Sequence, residues 1–251
     1  GAAAGLLTLR SADAVVTTSE DARRLLARRA LADAEVLVIR SGVDLERFSP
    51  RGGARARLLA EVGARPDATT LGMAGRLTDG MGWDVFLETV VRIARSVRSV
   101  AAFIVGDGPR RSEIALSIAH AGLAGTVFQL GRRDDVPEAL SAMDVVLHTP
   151  RLEGSPGAII EAMACGRPVV ASDAGGASEV VVPGVTGFVV PVGDVLATAG
   201  RACELIGSPE LRADMGRAAR ERAAAGFSIT RTVADYEALY ERVAARSTRG
   251  G

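Results

Sequence analysis

The sequence of 251 residues contains no lysine and no asparagine, although arginine and alanine are abundant. Its only two cysteines are Cys165 and Cys203, and their spacing indicates neither a metal site nor a disulfide framework. No apolar run reaches the roughly 18 residues that a membrane-spanning helix needs. The first ten residues lack the basic flank and the length of a signal peptide. We therefore expect a protein of the reducing cytoplasm with no membrane span.

Charge and size are those of an ordinary soluble domain. Acidic and basic residues balance at 30 each, so no global field would draw the chain onto nucleic acid or an anionic membrane. With 48% hydrophobic residues, the chain can bury a full core without disulfides or a metal. The two histidines, His120 and His148, have no paired carboxylates beside them in the sequence, so we predict no metal site.

Short β-branched runs alternate with amphipathic stretches, which is typical of βα units around a parallel sheet. The predicted strands lie near 69–74, 100–105, 126–130, 144–148, 167–171 and 186–190. The predicted helices lie near 83–97, 109–121, 135–142 and 157–165, followed by a helical tail from about 194 to 245. We therefore expect an α/β fold with a Rossmann-like parallel sheet and flanking helices. Ligands bind such sheets beyond the carboxyl ends of the strands.

The most informative segment begins EGSPGAIIE, in which seven residues separate Glu153 from Glu161. Ser155 is a good N-cap residue, Pro156 suits the first helical position, and an apolar run follows. The pattern predicts a helix that contains Glu161 and a loop that contains Glu153.

The start of that helix is suited to an anion. The N–H groups of Gly157 and Ala158 and the positive end of the helix dipole favour a phosphate there. Because Glu153 and Glu161 flank this position, the same junction can bind a diphosphate and offer two carboxylates to sugar hydroxyls.

This segment resembles the donor-site motif of retaining glycosyltransferases of family 4, the glycosyl transferases group 1. Further blocks occur in the family's order, so the resemblance covers nearly the whole chain. These blocks are ADAVVTTSE (12–20), RSGVDLERFSP (40–50), GRLTDGMGWD (75–84), IVGDGPRR (104–111), QLGRRDDVPEALSAMDVVLHTP (129–150) and GGASEVVVPGVTGFVVPVGD (175–194).

The family fold, GT-B, has two Rossmann-like lobes that face each other across a cleft. The resemblance implies that this chain is the C-terminal, donor-binding lobe, with the first lobe largely absent. Residues 1–40 resemble the end of the N-terminal (acceptor) lobe and the linker, 41–227 the donor lobe, and 228–251 the C-terminal helix and tail. The strand at 14–18 would then lack its sheet. We expect a fragment, a numbering that omits the first lobe, or a partner chain that supplies it.

The resemblance also implies roles for individual side chains. Arg76 presents a planar guanidinium group suited to two phosphate oxygens and binds the donor diphosphate. Outside this ordered set of motifs, a lone arginine would be interpreted as part of a surface salt bridge. Glu161 accepts hydrogen bonds from the donor ribose. The alternative is a carboxylate that only interacts with the positive end of the helix dipole. Glu153, the predicted catalytic residue, faces the sugar or the reacting face. The other predicted donor contacts are Gly75, Gly106, Gly131, Arg132, Ser155, Gly157 and Ala158.

One position departs from the family pattern. Met81 stands where the family has a lysine, five residues after Arg76. A thioether cannot neutralise phosphate, so the change costs roughly 1.5 to 3 kcal/mol of charge-assisted bonding unless an arginine substitutes. We expect Met81 to pack under Trp83 or Phe86. The candidates for the substituting cation are Arg132, Arg133 and Arg151.

Two further side chains have roles that the sequence leaves open. Glu179 resembles another family position, but a helix cap or a structural ion pair explains it equally well. His148 lies at a predicted strand end near Glu153 and is read as structural.

The leading interpretation is transfer of a hexosyl group from a nucleoside-diphosphate sugar to a hydroxyl acceptor, with retention implied by the resemblance and no cofactor besides the donor. A second is a nucleotide-sugar-binding or degenerate lobe without independent transferase activity, which Met81 and the absent acceptor lobe favour. A third, a sugar-nucleotide epimerase or a dinucleotide-dependent enzyme, is weak because no complete GxGxxG opens a helix after a strand.

Overall fold

The computed structural model describes residues 12–27, 36–153 and 156–247. Ser155, the predicted N-cap and donor contact, lies outside these ranges.

A small unit precedes the main sheet. Strands β1 (Val15–Thr17) and β2 (Val36–Val38) pair in parallel, and helix α1 (Glu20–Ala27) follows β1. The expectation that the strand at 14–18 has no sheet is therefore wrong within this chain, because the short apolar run of β2, which we did not predict as a strand, provides a partner.

The main sheet has six parallel strands, in line with the predicted fold class. They are β3 (Thr69–Ala74), β4 (Val100–Val105), β5 (Val127–Gly131), β6 (Val145–His148), β7 (Val169–Ser172) and β8 (Gly187–Val190). Their order in the sheet is β5-β4-β3-β6-β7-β8. After β3 the chain adds β4 and β5 towards one edge of the sheet. It then returns and places β6 on the other side of β3. This reversal is the topological switch point at which doubly wound sheets bind ligands.

Helices cover the sheet. They are α2 (Ala54–Glu61), α3 (Trp83–Ala94), α4 (Arg111–His120), α5 (Val136–Ser141), α6 (Gly157–Ala164), α7 (Ala177–Val180), α8 (Val195–Gly207), α9 (Pro209–Gly226) and α10 (Ile229–Ser247). The predicted helical tail is thus divided into three helices. The first break occurs at Ser208, whose side chain accepts from the Leu211 N–H and begins α9 ahead of Pro209. Within the described ranges, no helix is long and apolar enough to cross a membrane.

Two apolar cores lie on opposite faces of the sheet. Along β4, Phe103 belongs to one core and Ile104 to the other, as the period of two in a strand requires. Phe86 of α3 and Leu205 of α8 pack in the core with Ile104, whereas Ile160 of α6 packs in the core with Phe103. Helices on both faces explain why the strands read as nearly continuous apolar runs.

The predicted domain boundaries near residues 40 and 228 lie side by side. Val43 donates its N–H to the Phe227 carbonyl at 2.8 Å, and Ile229 donates to the Val43 carbonyl at 2.9 Å. Thr232 Oγ1 donates to the Arg40 carbonyl at 2.9 Å. The start of α10 is therefore tied to the linker, while the division into 1–40, 41–227 and 228–251 stays a prediction.

Candidate functional site

The loops after β3, β4 and β5 meet at the carboxyl edge of the sheet. Gly75 donates its N–H to the Val105 carbonyl at 2.9 Å, and Gly106 donates to the Gly131 carbonyl at 2.8 Å. A Cβ atom at Gly106 would lie 1.9 Å from the Gly75 carbonyl oxygen, and Gly106 has a φ of +136°. Only glycine fits this close approach, so the three predicted glycines Gly75, Gly106 and Gly131 are brought together.

A cavity of about 220 Å³ opens at this edge. The predicted contacts that line it are Gly75, Gly106, Arg132, Ala158 and Glu161, together with Ala74, Val105, Arg133 and Val136. Its walls are the ends of β3 and β4, the loop after β5, and the start of α6. Because α6 follows β6, the cavity lies beside the switch point between β3 and β6.

Helix α6 brings its first turn to the cavity. The prediction that Pro156 is the first helical residue is wrong by one position, since Pro156 has a non-helical ψ of 38° and the helix begins at Gly157. The N–H groups at this end of an α-helix have no partner within the helix. Glu161 lies one turn after Gly157 and Ala158, so Ala158 and Glu161 share a face.

Glu161 is a half-buried carboxylate. Burial raises its pKa above the usual 4.5, and the charge of Arg47 acts in the opposite direction. No hydrogen bond or ion pair connects its side chain to any other residue in the described part of the chain. A half-buried carboxylate with a raised pKa, which lies beside a cavity, is suited to a ligand with hydroxyl donors.

Glu153 has a different environment. Its Oε2 atom lies 2.7 Å from His148 Nε2, and the side chains are 12% and 4% exposed. On the other side, a Cβ atom at Gly175 would lie 2.3 Å from the Glu153 carbonyl oxygen, and Gly175 has a φ of +56°. The histidine that we read as structural is thus the partner of the predicted catalytic carboxylate. No group of three or more His, Cys, Asp or Glu among the described residues is placed to hold a metal ion.

Two arginines at the carboxyl edge are exposed, Arg76 directly after Gly75 and Arg132 directly after β5. Neither side chain forms a hydrogen bond or an ion pair with another residue in the ranges that the structure describes. Their guanidinium groups therefore have donors available for an anion from solution.

The other two candidates for the missing cation are engaged within the chain. Arg133 forms ion pairs with Glu61 at 2.6 Å and Asp135 at 2.7 Å, and these two carboxylates raise its pKa. Arg151 forms a bidentate ion pair with the Asp84 carboxylate, with N–O distances of 2.6 and 2.7 Å. Of the three candidates, Arg132 therefore remains the best substitute for the lysine.

Met81 reaches the rim of the site. Its terminal methyl group would lie 3.0 Å from a Cβ atom at Gly75, so the thioether lies against the glycine that lines the cavity. We predicted packing under Trp83 or Phe86; the contact that the structure shows is with Gly75. Trp83 has the Arg110 guanidinium over its ring at 5.8 Å.

Glu179 has the structural role that we left open. It accepts hydrogen bonds from the N–H groups of Glu20 at 3.1 Å and Asp21 at 3.0 Å, at the start of α1, and pairs with Arg40 at 3.4 Å. It thereby caps α1 and joins the small unit at the beginning of the chain to the main sheet.

The model of the family described as glycosyl transferases group 1 matches residues 55–222, and the chain therefore belongs to this family. The chain is 33% identical over 249 residues to D-inositol 3-phosphate glycosyltransferase of Kribbella flavida, covering 92% of this chain and 57% of that protein.

Solved structures agree in fold. The crystal structure of Anabaena HepE in complex with UDP and glucose has a TM-score of 0.83 and 27% identity, over 93% of this chain and 64% of HepE. The C-terminal domain of the group 1 family protein LpcC from Francisella tularensis has a TM-score of 0.68 and 23% identity, over 75% of this chain and all of that domain. The chain has the fold of the C-terminal lobe of a GT-B protein. It spans between 41% and 66% of the length of the curated relatives that it matches.

The raised pKa of Glu161 predicts a pH-dependent effect on stability. Because the folded state holds this proton to a higher pH than the unfolded state, wild-type stability falls as pH rises from 4.5 through the folded-state pKa. Glu161→Gln removes this loss. We expect its thermal midpoint to exceed that of the wild type at pH 7, and the difference to shrink as the pH approaches 4.5.

Differential scanning calorimetry between pH 4.5 and 8 measures this difference. Glu237→Gln, a change at an exposed carboxylate of α10, is the matched control and should follow the wild-type profile. A midpoint of Glu161→Gln below the wild type at pH 7 would mean that the carboxylate stabilises the fold, and would contradict its assignment to a ligand.

Proposed function

We propose that this chain is the donor-binding part of a retaining glycosyltransferase, which moves a hexosyl group from a nucleoside-diphosphate sugar to a hydroxyl acceptor. Glu161 is the observation that carries the proposal. It is a half-buried carboxylate with no partner among the described side chains and main-chain groups, beside a cavity at the switch point. The two ribose hydroxyls of a nucleotide can each donate to one oxygen of such a carboxylate, which compensates the cost of burying the charge.

The diphosphate would occupy the space between the start of α6 and the exposed arginines. The N–H groups of Gly157 and Ala158 and the dipole of α6 favour negative charge. Arg76 and Arg132 supply guanidinium groups without competing carboxylates. These groups would stabilise the diphosphate as it leaves, which is the main contribution that such a lobe makes to the transfer.

The sugar would lie towards Glu153. During transfer the anomeric carbon loses its bond to the diphosphate oxygen and gains one to the acceptor oxygen, with positive charge developing on the ring, and the proton of the acceptor hydroxyl passes to the departing diphosphate. The carboxylate of Glu153, oriented by His148, would bind sugar hydroxyls or stabilise that charge. The acceptor would bind to a facing lobe, which the same polypeptide or a partner chain supplies.

The HepE complex supports a nucleotide-sugar donor, since a relative with this fold and 27% identity was crystallised with UDP and glucose. Met81 supports a second candidate function, a lobe that binds a nucleotide sugar without transferring it. Its methyl group lies against Gly75 at the rim of the cavity and carries no charge, so donor affinity would depend on Arg76 and Arg132.

The proposed role of Arg76 predicts a loss of nucleotide binding when it is removed. We expect Arg76→Ala to weaken binding of the tightest of UDP, GDP and ADP about 10- to 100-fold, because a hydrogen bond to a charged group is worth about 1.5 to 3 kcal/mol. Isothermal titration calorimetry provides the measurement.

Arg92→Ala is the matched control, because Arg92 is exposed in the last turn of α3, near the amino edge of the sheet. It should bind as the wild type does. Binding of no nucleotide by the wild type, or equal affinity of the two variants, would contradict the donor site.

The position of Met81 predicts that a lysine restores lost affinity. Met81→Lys should bind the same nucleotide diphosphate about tenfold or more tightly than the wild type, because it adds a charge-assisted bond at the rim of the cavity. Met81→Leu, which keeps the size and the apolar character, should change affinity by less than about threefold. If the lysine variant bound no tighter than the leucine variant, the diphosphate would not lie beside Gly75.

A further inference from the structure

A second cavity, of about 470 Å³, lies at the opposite, amino edge of the sheet. Asp144, directly before β6, and Gly166 to Pro168, directly before β7, form one wall. The part of α9 from Pro209 to Glu221 forms the other wall. Because the proposed donor cavity lies at the carboxyl edge, a ligand in this second cavity would be separated from it by the length of the strands.

Three arginines that line this cavity, Arg167, Arg212 and Arg220, share an unusual environment. Their acceptors are all main-chain carbonyls: Met143 and Cys165 for Arg167, Leu205 and Ile206 for Arg212, and Leu45, Phe48 and Ala164 for Arg220. These bonds fix each guanidinium group against the backbone. They use only some of the five N–H donors that each group has.

The positive charge of these groups is only partly compensated, since the charge of Asp144 acts on Arg167. In the described ranges, none of the three forms an ion pair with a carboxylate. Of the two carboxylates that line the cavity, Asp144 accepts from Thr70 and lies 3.6 Å from Arg55, and Glu221 is exposed. The carbonyl groups at the C-terminus of a helix together carry only about half of an elementary negative charge, which does not neutralise a guanidinium group. The cavity is therefore a site of positive potential.

Burial makes this potential stronger than on an open surface. Desolvation lowers the pKa of Arg167, as expected where a cation is held away from water, although the charge of Asp144 acts in the opposite direction. The remaining walls include Pro50, Pro168, Pro209 and Ala213. A cavity of this size with apolar walls and a few charged groups has the character of a small-molecule site.

We propose that this cavity binds a phosphorylated small molecule. The fixed guanidinium groups would bind its phosphate, for which their planar, multiple donors are suited, and the proline and alanine walls would contact its uncharged part. This site is independent of the proposed donor site, because it shares no lining residue with it and lies at the other edge of the sheet.

A negative charge introduced at the cavity tests the proposal without breaking the arginine contacts. Ala213 is exposed on α9 and lines the cavity. We expect Ala213→Glu to weaken binding of inorganic pyrophosphate and of glucose 1-phosphate about tenfold or more, since a carboxylate there repels the phosphate and pairs with the guanidinium groups. Isothermal titration calorimetry on the whole chain measures both affinities.

Ala224→Glu is the matched control. It is exposed on α9, outside the cavity, and places the same charge on nearly the same side of the helix about 16 Å further along. It should bind both probes within about threefold of the wild type.

Two results would overturn the proposal: equal affinities for Ala213→Glu and Ala224→Glu, or no binding of either probe at millimolar concentration. A folded Arg212→Gln variant, checked by its thermal midpoint, should lose binding as Ala213→Glu does. The result of the UDP titration with Arg76→Ala does not affect this test, so the two sites can fail separately.

Discussion

The close approach of the backbone after β3 and β4 is the constraint on which the candidate site depends. The Gly106 Cα lies so near the Gly75 carbonyl that a methyl group would overlap it, and Gly106 in turn donates to the Gly131 carbonyl. These contacts place three strand ends in contact without any side chain between them. The cavity exists because this space is left open beside α6, at the point where the strand order reverses.

The same geometry separates the two glutamates of the motif. Glu161 lies inside α6 and lines the cavity, where burial raises its pKa. Glu153 lies before α6 and is held by His148 at the end of β6. The Glu161 carboxylate thus has no partner in the described structure, whereas the Glu153 carboxylate is oriented by the His148 side chain. This difference is what the proposed roles require, since ribose binding needs available acceptors and a reacting carboxylate needs a defined position.

The local pattern of apolar and polar residues predicted the strands and helices that local interactions form. The six strands of the main sheet begin and end within about two residues of their predicted limits, because their apolar runs are bounded by glycine, proline and charged residues. Helix α2 was missed because its sequence, ARARLLAE, has little apolar periodicity. The glycines and the two glutamates of the site were found from their motifs.

Contacts between distant parts of the chain could not be predicted in this way. Arg133 pairs with Glu61, 72 residues earlier, and Glu179 caps a helix more than 150 residues earlier. Neither pairing leaves a local signal. The arginine cavity at the amino edge combines residues from four separate segments. His148 had a signal, its position five residues before Glu153 at a strand end, but only the loop geometry shows that their side chains meet.

A crystal structure of the chain with the nucleoside diphosphate that binds most tightly tests the central claim directly. The account predicts that the ribose hydroxyls lie within about 3.2 Å of the Glu161 carboxylate. It also predicts that the diphosphate contacts the N–H groups at the start of α6. A nucleotide bound away from Glu161, or a ribose that contacts no carboxylate, would contradict it.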